Sequence, residues 1–450
     1  MARAYSSRFR WLAGVCGLAL LGLPVRADAP HVYAITGARI VTAAGPAIES
    51  GTVVIRQGLV DAVGASVATP PDARVIDGKG LIVYPGLIDM SNRAATEAAA
   101  NAPPQNVRTR EEVERWKRGL LVQPQQLAAR RVRVDAPELA RLAAAGITSV
   151  LAVPPGEVFK GQSALVNIAP PDDEPQVGGL ADERRGRIVV RTPVALHVAV
   201  PARTPGNAYP QSLMGVMAFV RQTWLDAQHY QIEQARYARI KSGVERPTYD
   251  EALDALQAPL AGRVPVAFEA NLDREIRRAL AMAREFGLDP IVDGALQAGD
   301  VAAELKQAGA RVVFSVNYPT RSRALAPDAD EPIRELRRRA SAPKVPAALR
   351  AAGVPFAFGS AGLPDPKDFV KNAATAVKAG LSADAAVRAL TIDAAAIAGV
   401  ADRLGSIEKG KFANIIVTEG DLFSEKMIIK HVFVDGRLVK IDAEAPAGND

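Results

Sequence analysis

Cysteine occurs once in the 450 residues and histidine four times. A single thiol excludes an intrachain disulfide framework and any cysteine-rich zinc module. Four histidines allow a multi-histidine metal centre only if most of them stand in the right places. Aromatic residues make up 5% of the chain, so a core has to come mainly from aliphatic side chains, which are plentiful. Long apolar runs are scarce too. Trp11 to Pro24 is one, but it falls short of the about 20 residues that a membrane helix needs. No later stretch is apolar enough to cross a membrane.

The flanks of that run give it a different meaning. Arg3, Arg8 and Arg10 precede it, and the small residues Ala27 and Ala29 follow. A positive segment, a short apolar segment and a small-residue exit form the layout of a secretory signal peptide. The sole cysteine, Cys16, lies inside the run, and Val15 before it suits a lipoprotein cleavage site poorly. Cleavage after Ala27 removes arginines 3, 8, 10 and 26 and no acid, so the net charge falls from +6 to +2. A near-neutral mature chain offers no electrostatic case for nucleic acid. The expectation is a secreted or periplasmic protein, not membrane-bound after cleavage.

Both ends of the mature chain read as strands. Val32–Ile35, Ala38–Val41, Gly51–Arg56, Leu59–Val63, Arg74–Asp77 and Leu81–Tyr84 are short β-branched runs punctuated by glycine. Ala413–Val417, Ile428–Val434 and Arg437–Ile441 match them, with Asp435-Gly436 as a hairpin turn. The middle alternates short apolar strands with alanine-rich helices, and Gln211–Lys241 forms a long helical insert whose Trp224, Tyr230 and Tyr237 suit packing. Repeated strand-then-helix units favour a (β/α)8 TIM barrel over a doubly wound sheet. The expected fold class is therefore α/β, a barrel with a small composite β-sandwich domain made by the two ends.

Ordered motifs then point to a family. Tyr84-Pro85-Gly86-Leu87-Ile88-Asp89 resembles the end of the first barrel strand of the amidohydrolase superfamily. Gly146-Ile147-Thr148-Ser149-Val150 resembles its second strand, and Thr391-Ile392-Asp393-Ala394-Ala395 is similar to its Thr-x-Asn-Pro-Ala helix, with departures at Asp393 and Ala394. Leu404-Gly405-Ser406-Ile407-Glu408-Lys409-Gly410-Lys411-Phe412-Ala413-Asn414 is similar to its return to the β domain. The resemblance is strongest to the imidazolonepropionase-like branch. It implies a barrel over 85–403 and a composite domain of 28–84 plus 404–442, beside the signal peptide at 1–27 and a flexible tail at 443–450. It also implies an ancestral hydrolase of non-peptide C–N bonds in cyclic amides or related small molecules.

Hydrolysis in that family uses divalent metal to activate water and polarise a carbonyl. Its first strand ends Asp-x-His-x-His, and side chains two apart on a strand share a face. Here Ser91 and Arg93 stand at the two ligand positions. Serine is a weak ligand, and arginine has no lone pair to give and carries a charge that opposes a cation. The resemblance places the fifth-strand histidine on Glu269, the sixth-strand histidine on or near Asp293, and the eighth-strand aspartate on Ala361. No histidine is expected within reach of these stretches. Of the four, only His197 sits in a barrel strand, and a lone histidine in an apolar strand is more often a satisfied core residue.

Three readings of Arg93, Glu269 and Asp293 stay open: an ion-pair cluster filling the vacated cavity, a carboxylate pair doing metal-free acid–base chemistry, or a Ca²⁺ or Mg²⁺ site. Phe159–Ser163 reads as a polar loop near the barrel mouth, with Lys160, Gln162 and Ser360 as ligand-binding candidates. Ser163 and Ser360 have no evident histidine partner, which disfavours a serine-hydrolase triad. The expectation is an amidohydrolase-like pseudoenzyme or small-ligand binder with no resident cofactor, although a divalent metal stays open. The alternatives are an active amidohydrolase using an atypical metal-free or carboxylate-based site at Glu269 and Asp293, or a homo- or hetero-oligomer that supports an active homologue; His197 is a further catalytic candidate.

Overall fold

The computed structural model describes residues 32–441 apart from 94, 97–108, 133–135, 169–188, 207, 241, 323, 327 and 440. The expected signal peptide and the tail at 443–450 lie outside these residues. The described residues belong to one compact unit.

Strands β1 (Val32–Ile40), β2 (Ile48–Arg56), β3 (Leu59–Gly64), β4 (Arg74–Asp77) and β5 (Leu81–Pro85) open the described chain. Strands β16 (Ile415–Glu419), β17 (Ile428–Val434) and β18 (Arg437–Val439) close it. The two groups share one eight-stranded sheet, ordered β18-β17-β16-β5-β1-β2-β3 with β4 on β1. The join is the antiparallel β5–β16 ladder, Ile415 opposite Pro85 through Glu419 opposite Leu81. Both ends of the chain therefore meet in one sheet, as their matching strand patterns predict.

Between them run β6 (Leu87–Asn92), β7 (Ile147–Ala152), β8 (Phe159–Gln162), β9 (Ala164–Asn167), β10 (Val189–Arg191) and β11 (Leu196–Ala199). They are followed by β12 (Val266–Ala270), β13 (Pro290–Gly294), β14 (Arg311–Ser315) and β15 (Phe356–Gly359). These strands form two sheets, ordered β10-β9-β7-β6 and β15-β14-β13-β12-β11-β8. From β11 to β15 every pair is parallel. Helices Asp273–Phe286, Ala302–Gln307 and Val345–Ala352 fall in the successive connections between β12 and β15. The result is a mixed α/β fold. At one junction of the two sheets the Ala361 N–H donates to Ser91 O at 2.9 Å. At the other, Ser163 N–H donates to Ala195 O and Val194 N–H to Ser163 O, each at 2.9 Å.

Alternation along the strands sorts the core. Val266 and Phe268 of β12 pack with Trp224 and Phe286 of the surrounding helices. Ala267, between them, joins Ile88, Met90, Leu151, Leu165, Ile291, Val313 and Ala357 in a separate cluster. Ala394, Ala395 and Ile397 of helix Ile392–Ile397 belong to that cluster too. One face of each strand thus points at the helices and the other at a shared aliphatic interior. The long insert is helix Leu213–Arg239, and its Trp224 is fully buried with an edge contact to Phe159 at 5.5 Å. Its packing role is the one its composition suggests.

Gly405 fixes how the chain leaves this interior for the eight-stranded sheet. It has φ +93°, and a Cβ there would lie 2.7 Å from Ala395 Cβ and 2.9 Å from Thr391 O. Replacing Gly405 by Ala should lower unfolding free energy by about 2–4 kcal/mol, from backbone strain and a clash that cannot relax. Urea denaturation measures this. A loss under about 0.5 kcal/mol, the range of an ordinary surface change, would mean that the helix shifts freely.

Candidate functional site

The interior face continues past the aliphatic layer. Two residues beyond Ala267, Ile291 and Val313 stand Glu269, Asp293 and Ser315, on the same side of their strands. Glu269 and Asp293 are register partners across β12 and β13. Together with Arg93, Asn271, Asn317 and Ala361 they line a cavity of about 400 Å³ at the C-terminal ends of the parallel strands. Helix Asp273–Phe286 starts at its edge. Glu275 caps that helix by accepting from the N–H groups of Asn271 and Leu272 at 3.0 Å each, which fixes the turn after Glu269.

His197 corrects one expectation. It pairs with Ala267 in register, one level deeper than Glu269, and is 1% exposed. One ligand atom each from His197, Glu269 and Asp293 lie within 4.8 Å of one another. A histidine therefore is within reach of the acids. The sequence hid this because β11 lies about 70 residues before β12, and only the parallel register aligns them. Among the described residues neither ring nitrogen of His197 has a hydrogen-bond partner, and Asp293 Oδ1 has none either. The remaining histidines stand apart. His229 is exposed and faces Glu233 at 3.2 Å, His431 is in β17, and His31 lies outside the described residues.

Lys160 supplies the cation at the centre of the site. The segment Phe159–Ser163, expected as a polar loop, contains strand β8, which is antiparallel to β11 and buried throughout. Phe159 packs outward on Trp224, whereas Lys160 Nζ donates to Glu269 Oε1 at 2.5 Å. Gly161 makes the close approach on the other edge of β8. It has φ +123°, and a Cβ there would sit 2.6 Å from Gln126 O. Arg93 stands on the opposite side of Glu269, with its guanidinium 3.5 Å from Oε2 and its side chain 47% exposed.

The other candidates are engaged within the protein. Gln162 Nε2 donates to Pro124 O at 2.9 Å and does not line the cavity. Ser360 Oγ donates to Asp89 Oδ2 at 2.6 Å, and the Ser360 N–H to Asp89 Oδ1 at 2.7 Å. Ser91, expected at a ligand position, donates from Oγ to Asp293 Oδ2 at 3.2 Å. Ala361, also expected at a ligand position, lines the cavity without a side-chain donor atom. Sequence reasoning missed the Lys160–Glu269 contact and the lining role of Asn271, Ser315 and Asn317. Neither has a motif, and only strand register exposes them.

Burial and charge split the two acids. Burial pushes Asp293 up, and neighbouring Glu269 adds to this, so its carboxyl titrates at about 7. Burial also pushes Glu269 up, but Lys160 and Arg93 outweigh it and hold the carboxyl below its ordinary value. His197 is driven down to about 4, chiefly by burial, and is neutral at physiological pH. Asp89 is raised by burial despite its bonds from Ser360, Ser91 and Asn92.

One neutral imidazole and two carboxylates form a mixed nitrogen–oxygen donor set of the kind that Zn²⁺, Mn²⁺ or Fe²⁺ accepts. One ligand atom from each lies within 4.8 Å of the others, His197 and Asp293 Oδ1 have no hydrogen-bond partner, and Glu269 is engaged by Lys160 and Arg93, so the donor types fit a divalent ion while Glu269 already carries protein cations. The expectation of no resident cofactor is therefore not supported by the geometry, and the group is a candidate metal site.

A sequence profile of the amidohydrolase family matches residues 225–439. No curated protein matches the chain. Among solved structures, an amidohydrolase from Thermotoga maritima MSB8 has a TM-score of 0.72 at 22% identity, covering 91% of this chain and 99% of that one. Molinate hydrolase has a TM-score of 0.52 at 16% identity, covering 94% and 99%. Phenylurea hydrolase B has a TM-score of 0.51 at 16% identity, covering 92% and 97%. At these identities the likeness speaks for the fold, and the reaction has to be argued from the site.

The raised Asp293 carboxyl makes stability depend on pH. Between about 4 and about 7 the unfolded chain has lost this proton while the folded chain keeps it. Its contribution to stability is therefore lost as pH rises through that window. Asp293→Asn removes the charge and keeps an acceptor for Ser91. The variant should melt higher than the parent at pH 8, with the advantage shrinking toward pH 4. A pH-independent difference in melting temperature would contradict the assignment.

Proposed function

The chain belongs to the amidohydrolase superfamily, and on that premise we propose that it binds a small molecule at a barrel mouth whose family metal centre has been replaced. In this reading β6 to β15 close into a (β/α)8 barrel spanning 85–403. The composite β domain takes 28–84 and 404–442, and 1–27 directs the protein to the periplasm or beyond. The hydrogen bonds at both junctions of the two inner sheets support closure. So does the single aliphatic interior fed by alternate residues of the strands. Ligands of such barrels sit at the C-terminal ends of the strands, which is where the cavity lies.

The observation that carries this reading is the cluster on the cavity floor. Arg93 and Ala361 stand where the family has a histidine and an aspartate, and Lys160 with Arg93 brackets Glu269. Arg93 presents a half-exposed cation at the cavity wall, suited to a carboxylate or a polarised carbonyl of the ligand. Asn271, Ser315 and Asn317 line the same space with neutral donors and acceptors. Asp293, partly protonated near pH 7, can donate to a carbonyl or accept from an amide.

The convergence of His197, Glu269 and Asp293 favours a second reading, an active hydrolase. These three residues would hold the ion, which when bound supplies water activation and carbonyl polarisation. In both readings the protein positions its ligand with Arg93 and the amides and shields it within the cavity.

A panel of cyclic amides, ureas and short dipeptides separates the two. Binding predicts a saturable rise in melting temperature with at least one class and no consumption of the compound. Arg93→Ala should weaken that binding by about tenfold or more, the effect of losing one charge-assisted contact. Turnover abolished by Glu269→Gln would establish the hydrolase instead. A panel that neither stabilises the protein nor is consumed would contradict both.

A further inference from the structure

The Lys160–Glu269 contact occupies the candidate metal site with a cation of the protein's own. Lys160 Nζ is 2.5 Å from Glu269 Oε1, and both side chains are largely buried, at 11% and 18% exposure. Glu269 is at the same time one of the three groups whose ligand atoms converge within 4.8 Å. Lys160 has no freedom to leave this position cheaply. Its strand is clamped by β11 on one side. On the other, Gln162 N–H donates to Gln126 O at 2.8 Å and Gln123 N–H to Phe159 O at 2.8 Å. Phe159 is pinned under Trp224.

We propose that the Lys160 ammonium is the resident cation of this site, standing in for a divalent ion that the remaining donors could hold once Lys160 is removed. Two observations support it. The donor atoms left without partners, both nitrogens of His197 and Asp293 Oδ1, are the ones that Lys160 does not reach. Arg93 adds a second positive charge on the far oxygen of Glu269. An incoming ion would have to share Glu269 with the buried Lys160 ammonium and the half-exposed Arg93, and like charges this close repel. The substitution of a lysine for a metal is thus a matter of electrostatics at one carboxylate. It does not require the loss of the donor set.

Titrating Zn²⁺ into the purified chain by calorimetry in chelator-treated buffer reads this directly. The parent should bind Zn²⁺ at least about 100-fold more weakly than Lys160→Met, in which one unit charge beside the site is gone. Lys160→Met should take up about one ion per chain, and His197→Ala added to it should abolish the uptake. Parent and Lys160→Met binding Zn²⁺ within tenfold of each other would overturn the proposal. So would a folded Lys160→Met chain that binds no ion. Removing Lys160 leaves Glu269 buried with only Arg93 beside it, so the variant can lose stability. In that case Zn²⁺ should restore its melting temperature, and Lys160→Gln should behave the same way. Failure of Zn²⁺ to rescue either variant counts against the proposal. The titration reads the ion alone, so its outcome does not depend on whether the cavity binds an organic ligand.

Discussion

The buried contact between Lys160 and Glu269 is the constraint around which the site is organised. An ionised carboxylate taken out of water needs a compensating charge, and removing one member of such a pair costs about 3–5 kcal/mol. Strands β12 and β13 carry acids side by side at this level. Glu269 and Asp293 are register neighbours, so both cannot stay ionised without help. The ammonium of Lys160 and the guanidinium of Arg93 hold Glu269 ionised, and Asp293 responds by keeping its proton to about pH 7. The division of labour between the acids follows from which of them the lysine touches.

The fold makes that contact available by simple geometry. Residues two apart on parallel strands share a face, so an aliphatic layer at Ala267, Ile291 and Val313 is followed by a polar layer at Glu269, Asp293 and Ser315. Helix Ile392–Ile397 contributes to the aliphatic layer, and Gly405 allows the chain to turn away from it toward the eight-stranded sheet. Strand β8 runs against its neighbour, which lets Lys160 reach inward while Phe159 anchors outward. Ser91 ties β6 to Asp293 of β13.

Much of this was legible in the residues. Glycine-punctuated β-branched runs at 32–84 and 413–441 predicted strands at both ends, and the structure pairs them in one sheet. The alternation of strands and helices, with ordered family motifs, predicted an α/β fold and its superfamily. Of the candidate positions Ser91, Arg93, Glu269, Asp293 and Ala361, all but Ser91 line one cavity, and Ser91 bonds to Asp293. Three things were not legible. His197 lies deep in β11, and its approach to Glu269 depends on a cross-strand register that no local pattern states. Lys160 sits in Phe-Lys-Gly-Gln-Ser, where glycine and polar residues mimic a turn although the segment is a buried strand. Gln162 and Ser360 looked available to a ligand, but partners distant in sequence already engage them.

The central claim is that protein cations, not a bound ion, neutralise the acids at the cavity. Elemental analysis of the purified protein, prepared without added metal or chelator, tests it most directly. The account predicts zinc, manganese and iron far below one equivalent per chain. About one equivalent of any of them, retained through gel filtration and lost in Glu269→Gln, would contradict it.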